Sequence, residues 1–330
     1  MLSNLINKSL NQLYNVIGIS GNFFSLRVGG AFHHIVFDLE YNYKRYSSVK
    51  LEGCERLMLK TMIGAVVASL VYSYTQNHLI DVEEIMIKIE ALPEALEGFK
   101  IVHLTDVHLP KQASNIEKMI RMVKNQEPDL IVMTGDILDR PADITKSKLD
   151  ELCKGLMAIA DVYAVSGNHE KEGANYFEWL NVLKSHGVVL LENDYKVIKR
   201  ESAQLAIIGL EDGKQYETDF LNEAKIREDD FKLLLVHRPV VWEKDYPKLK
   251  QVQPHLIFNG HEHGGQVRIP FLGGICSHEQ GIFPKYSSGV YAIEEGRYLI
   301  MSRGLGSSSF PLRVNNRPHL PVVTLTKNNK

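Results

Sequence analysis

Short polar motifs built from Asp, His and Asn, each placed directly after an apolar run rich in β-branched residues, restrict the fold of this 330-residue chain more than any other feature. The run 99–105 precedes Asp106-Val107-His108, and 130–134 precedes Gly135-Asp136-Ile137-Leu138-Asp139. The run 162–165 leads to Gly167-Asn168-His169, 231–236 to His237, and 256–258 to Gly260-His261-Glu262-His263. Such runs read as buried strands. Between them, 114–125 repeats Ile116, Met119, Ile120 and Val123 at helical spacing, and 147–159 behaves alike. The segment 175–186 carries Phe177, Leu180, Val182 and Leu183, with Gly187 placed to cap its C-terminus. The alternation predicts a layered α/β domain, opened by a strand over 84–90 in which Ile85, Ile87 and Ile89 alternate with polar residues. Loops at the carboxyl ends of strands converge in such sheets, so the five motifs are expected at one edge.

Carboxylate oxygen, amide oxygen and imidazole nitrogen together suit Mn, Fe or Zn, and no cysteine belongs to the set. Each motif alone is weak evidence; their joint, ordered occurrence is not. Two cations roughly 3.5–4 Å apart need a bridging group, and Asp136 is the natural candidate. Such a pair suits phosphoester hydrolysis, because cations offset the anionic oxygens that repel a nucleophile and make hydroxide available near neutral pH.

On these motifs the chain resembles the calcineurin-like metallophosphoesterase superfamily over about residues 82–326. The resemblance implies a four-layer sandwich of two mixed β-sheets flanked by helices, here with an N-terminal helical appendage. It implies two divalent ions, Mn favoured, with Fe, Zn or Mg as alternatives. One would take Asp106, His108, Asp136 and His263; the other would take Asp136, Asn168, His237 and His261. His169 would lie over the phosphate, stabilising the transition state or protonating the leaving oxygen. Asp139 would orient that imidazole, or else cap a helix, and Arg140 would fork onto the phosphate, or else stay exposed. Glu262 stands where many relatives carry threonine, and either adds negative charge beside the metals or points to water. His33, His34, His78, His103, His186, His255, His278 and His319 read as structural or exposed, with His103 packed inside the first core strand.

Three C-terminal stretches, His263 to Pro270, Phe283 to Tyr286 and Arg303 to Gly306, are similar to a bacterial, membrane-associated branch. That branch includes UDP-2,3-diacylglucosamine pyrophosphatases and cell-wall-associated phosphodiesterases. Its members often carry Glu two residues after an Arg-Pro pair, whereas Arg317-Pro318 is followed here by His319 and Leu320. Gly264-Gly265 and Gly273-Gly274 permit close backbone approach or positive φ. Phe271, Phe283, Tyr286 and Phe310 are candidates to line an apolar trough for acyl chains or a uracil ring, and otherwise belong to the core.

A net charge of −2 supplies no basic field for tracking nucleic acid. Cys54, Cys153 and Cys276, odd in number and scattered, imply no disulfide framework and suit a reducing compartment. The first 80 residues are expected to form a helical membrane-association segment, hinged at 77–81 to a catalytic domain over 81–330. In 2–17, apolar residues fall on one helical face, suited to lie on a bilayer or to cover the domain. The segment 57–74 is at the lower limit for a span of about 20 residues. Lys44, Arg45, Lys50, Arg56 and Lys60 precede it, which would place the enzyme outside if it did span. Without a twin-arginine or cleavable signal, the favoured expectation is a peripheral enzyme on the cytoplasmic face of the inner membrane, its basic residues on anionic lipid.

The expected reaction is hydrolysis of the pyrophosphate of UDP-2,3-diacylglucosamine to UMP and 2,3-diacylglucosamine 1-phosphate. The alternative is a broad phosphodiesterase acting on wall, glycerophospho- or cyclic nucleotide diesters. A scaffold that kept the fold without the reaction should lack ligands or His169, yet every position is filled.

Overall fold

The computed structural model describes residues 53–110, 116–140, 142–213, 219–222, 224–239, 252–306 and 313–328. The chain divides into a unit over residues 1–67 and a larger one over 68–330. Helix α1 (Gly53–His78) contains the apolar segment 57–74. No helix among the described residues is long and apolar enough to cross a membrane. The expected amphipathic helix over 2–17 and Phe310 lie outside the described residues.

Among its described residues the larger unit holds sixteen strands in chain order. They are β1 (Asp81–Ile89), β2 (Lys100–Leu104), β3 (Leu130–Thr134), β4 (Val162–Val165), β5 (Val189–Leu190), β6 (Asp194–Arg200), β7 (Ala203–Gly209) and β8 (Phe231–Leu235). There follow β9 (Leu256–Asn259), β10 (Arg268–Ile269), β11 (Gly273–Gly274), β12 (Cys276–Ser277), β13 (Gly281–Ile282), β14 (Gly289–Glu294), β15 (Arg297–Met301) and β16 (His319–Lys327). One six-stranded sheet runs β1-β16-β2-β3-β4-β5 and the other β14-β15-β9-β8-β7-β6, while β10/β11 and β12/β13 are small hairpins. Both sheets are mixed: β2, β3 and β4 are parallel, as are β7, β8 and β9, with antiparallel pairs at β16/β2, β6/β7 and β14/β15.

The period-two alternation of each strand divides its side chains between two cores. Ile101, Leu130 and Val132 meet Leu205, Leu233, Leu256 and Phe258 between the sheets. From the other face of the first sheet, Val102, Leu104, Ile131 and Met133 pack on helices α2 (Ile116–Lys124), α3 (Leu149–Met157) and α5 (Tyr176–Ser185). Ile116, Met119 and Val123 of α2 are buried, as their spacing predicts. Gly187 ends α5 with φ +83°, the left-handed turn that its capping role requires. The two mixed sheets with flanking helices match the expected architecture. Because β2–β4 and β8–β9 run parallel within their sheets, the loops that follow them gather at one edge.

Candidate metal centre

The polar loops at this edge are tied together through their backbones before any side chain is considered. Asp106 N donates to Gly135 O, and His108 N to Asp136 O, both at 3.0 Å. Gly135 (φ +84°) lies against Gly167 so closely that a Cβ would stand 2.5 Å from the Gly167 nitrogen. Glu170, in the short helix α4 (Asn168–Glu172), completes the bond between loops. Its buried carboxylate accepts from the backbone N–H groups of Asp136 (2.8 Å), Leu138 (2.8 Å) and Gly167 (2.9 Å).

Two groups of facing donor atoms result. In the first, His108 Nε2 and His263 Nε2 are 3.1 Å apart, and His263 Nε2 is 3.4 Å from Asp106 Oδ1. In the second, His237 Nε2 is 3.1 Å from His261 Nδ1, 3.2 Å from Asn168 Oδ1 and 3.3 Å from Asp136 Oδ2. Asp136 Oδ2 is also 3.9 Å from His108 Nε2, so its carboxylate stands between the groups. Imidazole nitrogens that face one another across buried carboxylates have too few protons to satisfy all of them, and a shared cation resolves the deficit. The donor set therefore fits divalent ions: among the described residues Asp106/His108/His263 and Asp136/His237/His261 each converge closely enough to hold one, as do His108/Asp139/His169.

The electrostatics agree. Burial would raise the Asp136 pKa, but the imidazoles of His237, His108 and His169 outweigh it and hold the carboxyl well below its ordinary value. Burial raises Asp106. Burial also disfavours charge on His237, yet the Asp136 carboxylate pushes its pKa up to about 10. A proton there does the neutralising work of a cation, and metal binding would release it. His261 and His263, depressed by burial and by neighbouring cationic groups, stay neutral and ready to donate a lone pair. Asp106, His108, Asp136, His261 and His263 all adopt positive φ, from 47° to 75°. Left-handed backbone is costly for such residues and persists where the surrounding loops dictate it.

His169 lies between the donor groups and Asp139. Its Nδ1 is 2.7 Å from Asp139 Oδ1 and its Nε2 is 3.9 Å from Asp136 Oδ2. Burial opposes protonation, but the Asp139 bond and the Asp136 charge hold its pKa above the usual histidine value. The cap of the next short helix is Asp143, whose carboxylate accepts from Thr145 N, which leaves Asp139 to the imidazole. Arg140 is half-exposed and its guanidinium pairs with Glu172 at 2.7 Å, while its backbone N–H approaches His169 Nδ1.

Glu262 does not point to water: it is buried and accepts from Gln280 Nε2 at 2.8 Å. Burial first, and the neighbouring Asp106 charge among lesser causes, raise its pKa. His103 is packed as expected, buried at the edge of the Phe258 ring with Nε2 2.7 Å from Thr134 Oγ1. His319 is buried on Glu83 at 2.7 Å. Tyr286 is core, edge-on to Tyr291, whereas Phe271 and Phe283 are exposed, Phe271 lining an open groove beside Leu272 and Tyr291. Gly264 and Gly265 have φ of +65° and +76°, and a Cβ on Gly265 would meet Gly274 Cα at 2.6 Å.

Several supporting residues escaped the sequence reading. Glu170 was signalled only by its place three residues after Gly167, a helix-capping spacing. Arg313, fully buried, donates to the carbonyls of Arg303 (2.9 Å) and Gly304 (3.3 Å) with its Nη2 3.5 Å from His263 Nδ1. Asn316 Nδ2 donates to His263 O at 2.7 Å. Arg238 grips Asp212 at 2.8 Å and contacts Glu279, which lies 3.7 Å from His261 Nε2. No local pattern marks these three.

Comparison with known proteins agrees with this geometry. A family model described as calcineurin-like phosphoesterase matches residues 99–265. The metallophosphoesterase YkuE of Bacillus subtilis is 29% identical over 83% of this chain and 98% of its own length. The phosphodiesterase YaeI of Escherichia coli is 30% identical, covering 69% of this chain and 82% of its own. Among solved structures, TT1561 of Thermus thermophilus is 13% identical with a TM-score of 0.43, covering 63% of this chain and 90% of that one.

Proposed function

This chain belongs to the calcineurin-like phosphoesterase family, and from that premise we propose that it cleaves the pyrophosphate of UDP-2,3-diacylglucosamine, releasing UMP and 2,3-diacylglucosamine 1-phosphate. The coarser activity, metal-dependent phosphoester hydrolysis, follows from the family and the Asp/His cluster. The observation that carries the hydrolytic part of the proposal is the Asp139–His169 pair standing beside the two groups of cation donors.

Bound divalent ions, Mn favoured, would offset phosphate charge and make hydroxide available near neutral pH. Asp106, His108, Asp136 and His263 would hold one ion, and Asp136, Asn168, His237 and His261 the other. Asp139 fixes the ring of His169 by accepting from Nδ1–H, which directs Nε2 toward the donor groups. With Nδ1–H committed to Asp139, a proton on Nε2 could pass to the leaving oxygen. Arg140, held by Glu172, would have to exchange that carboxylate for a phosphate oxygen to bind substrate. The lipid-linked nucleotide is supported by the likeness of the three C-terminal stretches to the membrane-associated branch. It also accords with a peripheral position on the cytoplasmic face of the inner membrane.

The similarity to YaeI, a phosphodiesterase, favours a second reading: a broad phosphodiesterase with the same centre. Purified chain with Mn²⁺ separates the two. UMP release from UDP-2,3-diacylglucosamine that far exceeds hydrolysis of bis-p-nitrophenyl phosphate, and is lost in His169→Ala, is the expected result. Comparable or preferential diester turnover would favour the second reading.

A further inference from the structure

Just past the ligand loop, the chain makes two successive hairpins that expose large apolar side chains, Phe271 and Leu272 at the tip of the first, Ile282 and Phe283 at the end of the last strand of the second. Phe271 is wholly exposed, and Leu272 (67%), Ile282 (73%) and Phe283 (58%) are largely so. The hairpins form one surface: Ile275 N donates to Val267 O at 2.9 Å and Phe283 N donates to Ile275 O at 2.8 Å. The first of them is rooted in the metal centre, because Gly274 packs directly on Gly265 and Arg268 Nη1 donates to Gly264 O at 3.1 Å.

The exposure is imposed rather than incidental. Phe271 and Phe283 have φ of +69° and +55°, a left-handed backbone that costs a bulky side chain more than a glycine. Glycine takes that conformation at Gly273 and Gly281 on the same hairpins, yet two phenylalanines take it as well. Residues held in such conformations mark functional surfaces more often than scaffolding.

Beside the first tip, and lined in part by its Phe271 and Leu272, lies an open groove of about 510 Å³. Arg268 and Lys285 line it, beside the hydroxyls of Ser287, Ser288 and Tyr291, and no acidic side chain is among its described lining residues. Exposed apolar side chains with cations beside them suit a bilayer surface, where anionic headgroups overlie acyl chains.

We infer that the first hairpin tip and the end of β13 are a bilayer-docking face, with Leu272, Ile282 and the two phenylalanines entering the acyl region while Arg268 and Lys285 meet anionic headgroups. This deepens the membrane partner of the proposed function and rests on that reading for the choice of a lipid surface. The docking face would set the metal centre close to the lipid plane, since the first hairpin packs on Gly264 and Gly265, which directly follow the His261–His263 loop.

The test is co-sedimentation of the full chain with phosphatidylcholine vesicles, with and without phosphatidylglycerol. Wild type is expected to sediment with the anionic vesicles. Leu272→Asp combined with Ile282→Asp should lower the partition coefficient at least tenfold, roughly the effect of withdrawing one buried aliphatic side chain. Leu272→Ser with Ile282→Ser should lower it too, without added charge. Hydrolysis of bis-p-nitrophenyl phosphate should be unchanged in both. Undiminished sedimentation of the variants, or binding indifferent to phosphatidylglycerol, would overturn the inference. So would a wild-type dimer that ignores vesicles and dissociates in the variants, since the face would then join two copies of this chain. Vesicle binding is read without substrate, so its failure would leave the hydrolytic reading standing.

Discussion

Glu170 offers the sharpest test of how the site is held together. Its two oxygens accept three buried backbone N–H bonds from two different ligand loops, and Oε2 alone takes those of Asp136 and Gly167. Glu170→Ala strands all three donors. Each unsatisfied buried donor costs about 1–3 kcal/mol, so the ceiling is about 9 kcal/mol. Water entering the vacated space and relief of a carboxylate whose pKa burial already raises reduce this, to about 3–5 kcal/mol. Glu170→Gln keeps an oxygen for Asp136 and Gly167 and turns its amide toward Leu138, leaving one donor stranded at about 1–3 kcal/mol. Urea denaturation of chelator-treated protein, followed by the fluorescence of buried Trp179 and by circular dichroism, measures both. Chelation removes stabilisation by metal binding from the comparison. An alanine variant within about 0.5 kcal/mol of wild type, or a glutamine variant as damaged as alanine, would refute the reasoning.

Gly265→Ala should destabilise more than Gly281→Ala although both have φ near +75°, because only the former meets backbone, at 2.6 Å. Differential scanning should show the difference, with Mn retention falling only in Gly265→Ala. His169→Asn should lower kcat by about 10²–10⁴-fold at unchanged Mn content; a simultaneous loss of metal would recast His169 as a ligand. Burial depresses the His103 pKa to about 3, so the unfolded chain binds its proton first as pH falls below 6.5. That contribution to stability is present above pH 6.5 and is lost progressively toward pH 3, about 2 kcal/mol of it by pH 5. Denaturation curves across this window should be flatter in His103→Gln, and equal slopes would contradict the assignment.

The legible part of this molecule is local. The strands that end in Asp106, Asp136, Asn168, His237 and His261 could be read because an apolar run followed by a polar motif specifies both the strand and its exit. The pairing of Asp139 with His169 came only from resemblance, since the two lie 30 residues apart and no periodicity joins them. Arg313 was invisible for the same reason: its role depends on carbonyls of 303–304 and on His263, 50 residues away. Phe271 and Phe283 show a different limit. Hydrophobicity suggested a lining, which Phe271 provides in an open groove, but both rings are exposed on left-handed backbone, and side-chain type alone carries no φ. Glu262 went the other way, into a buried bond with Gln280 that its charge did not announce.

The central claim is that the donors around Asp136 hold two divalent ions. Equilibration with Mn²⁺, removal of free metal and elemental analysis per chain test it directly, with Asp136→Asn as the partner measurement. Two ions per wild-type chain, falling to one or none in Asp136→Asn with the fold intact by circular dichroism, is the predicted result. A wild-type chain that retains no Mn²⁺, Fe²⁺ or Zn²⁺, or an Asp136→Asn chain that still keeps two, would contradict it.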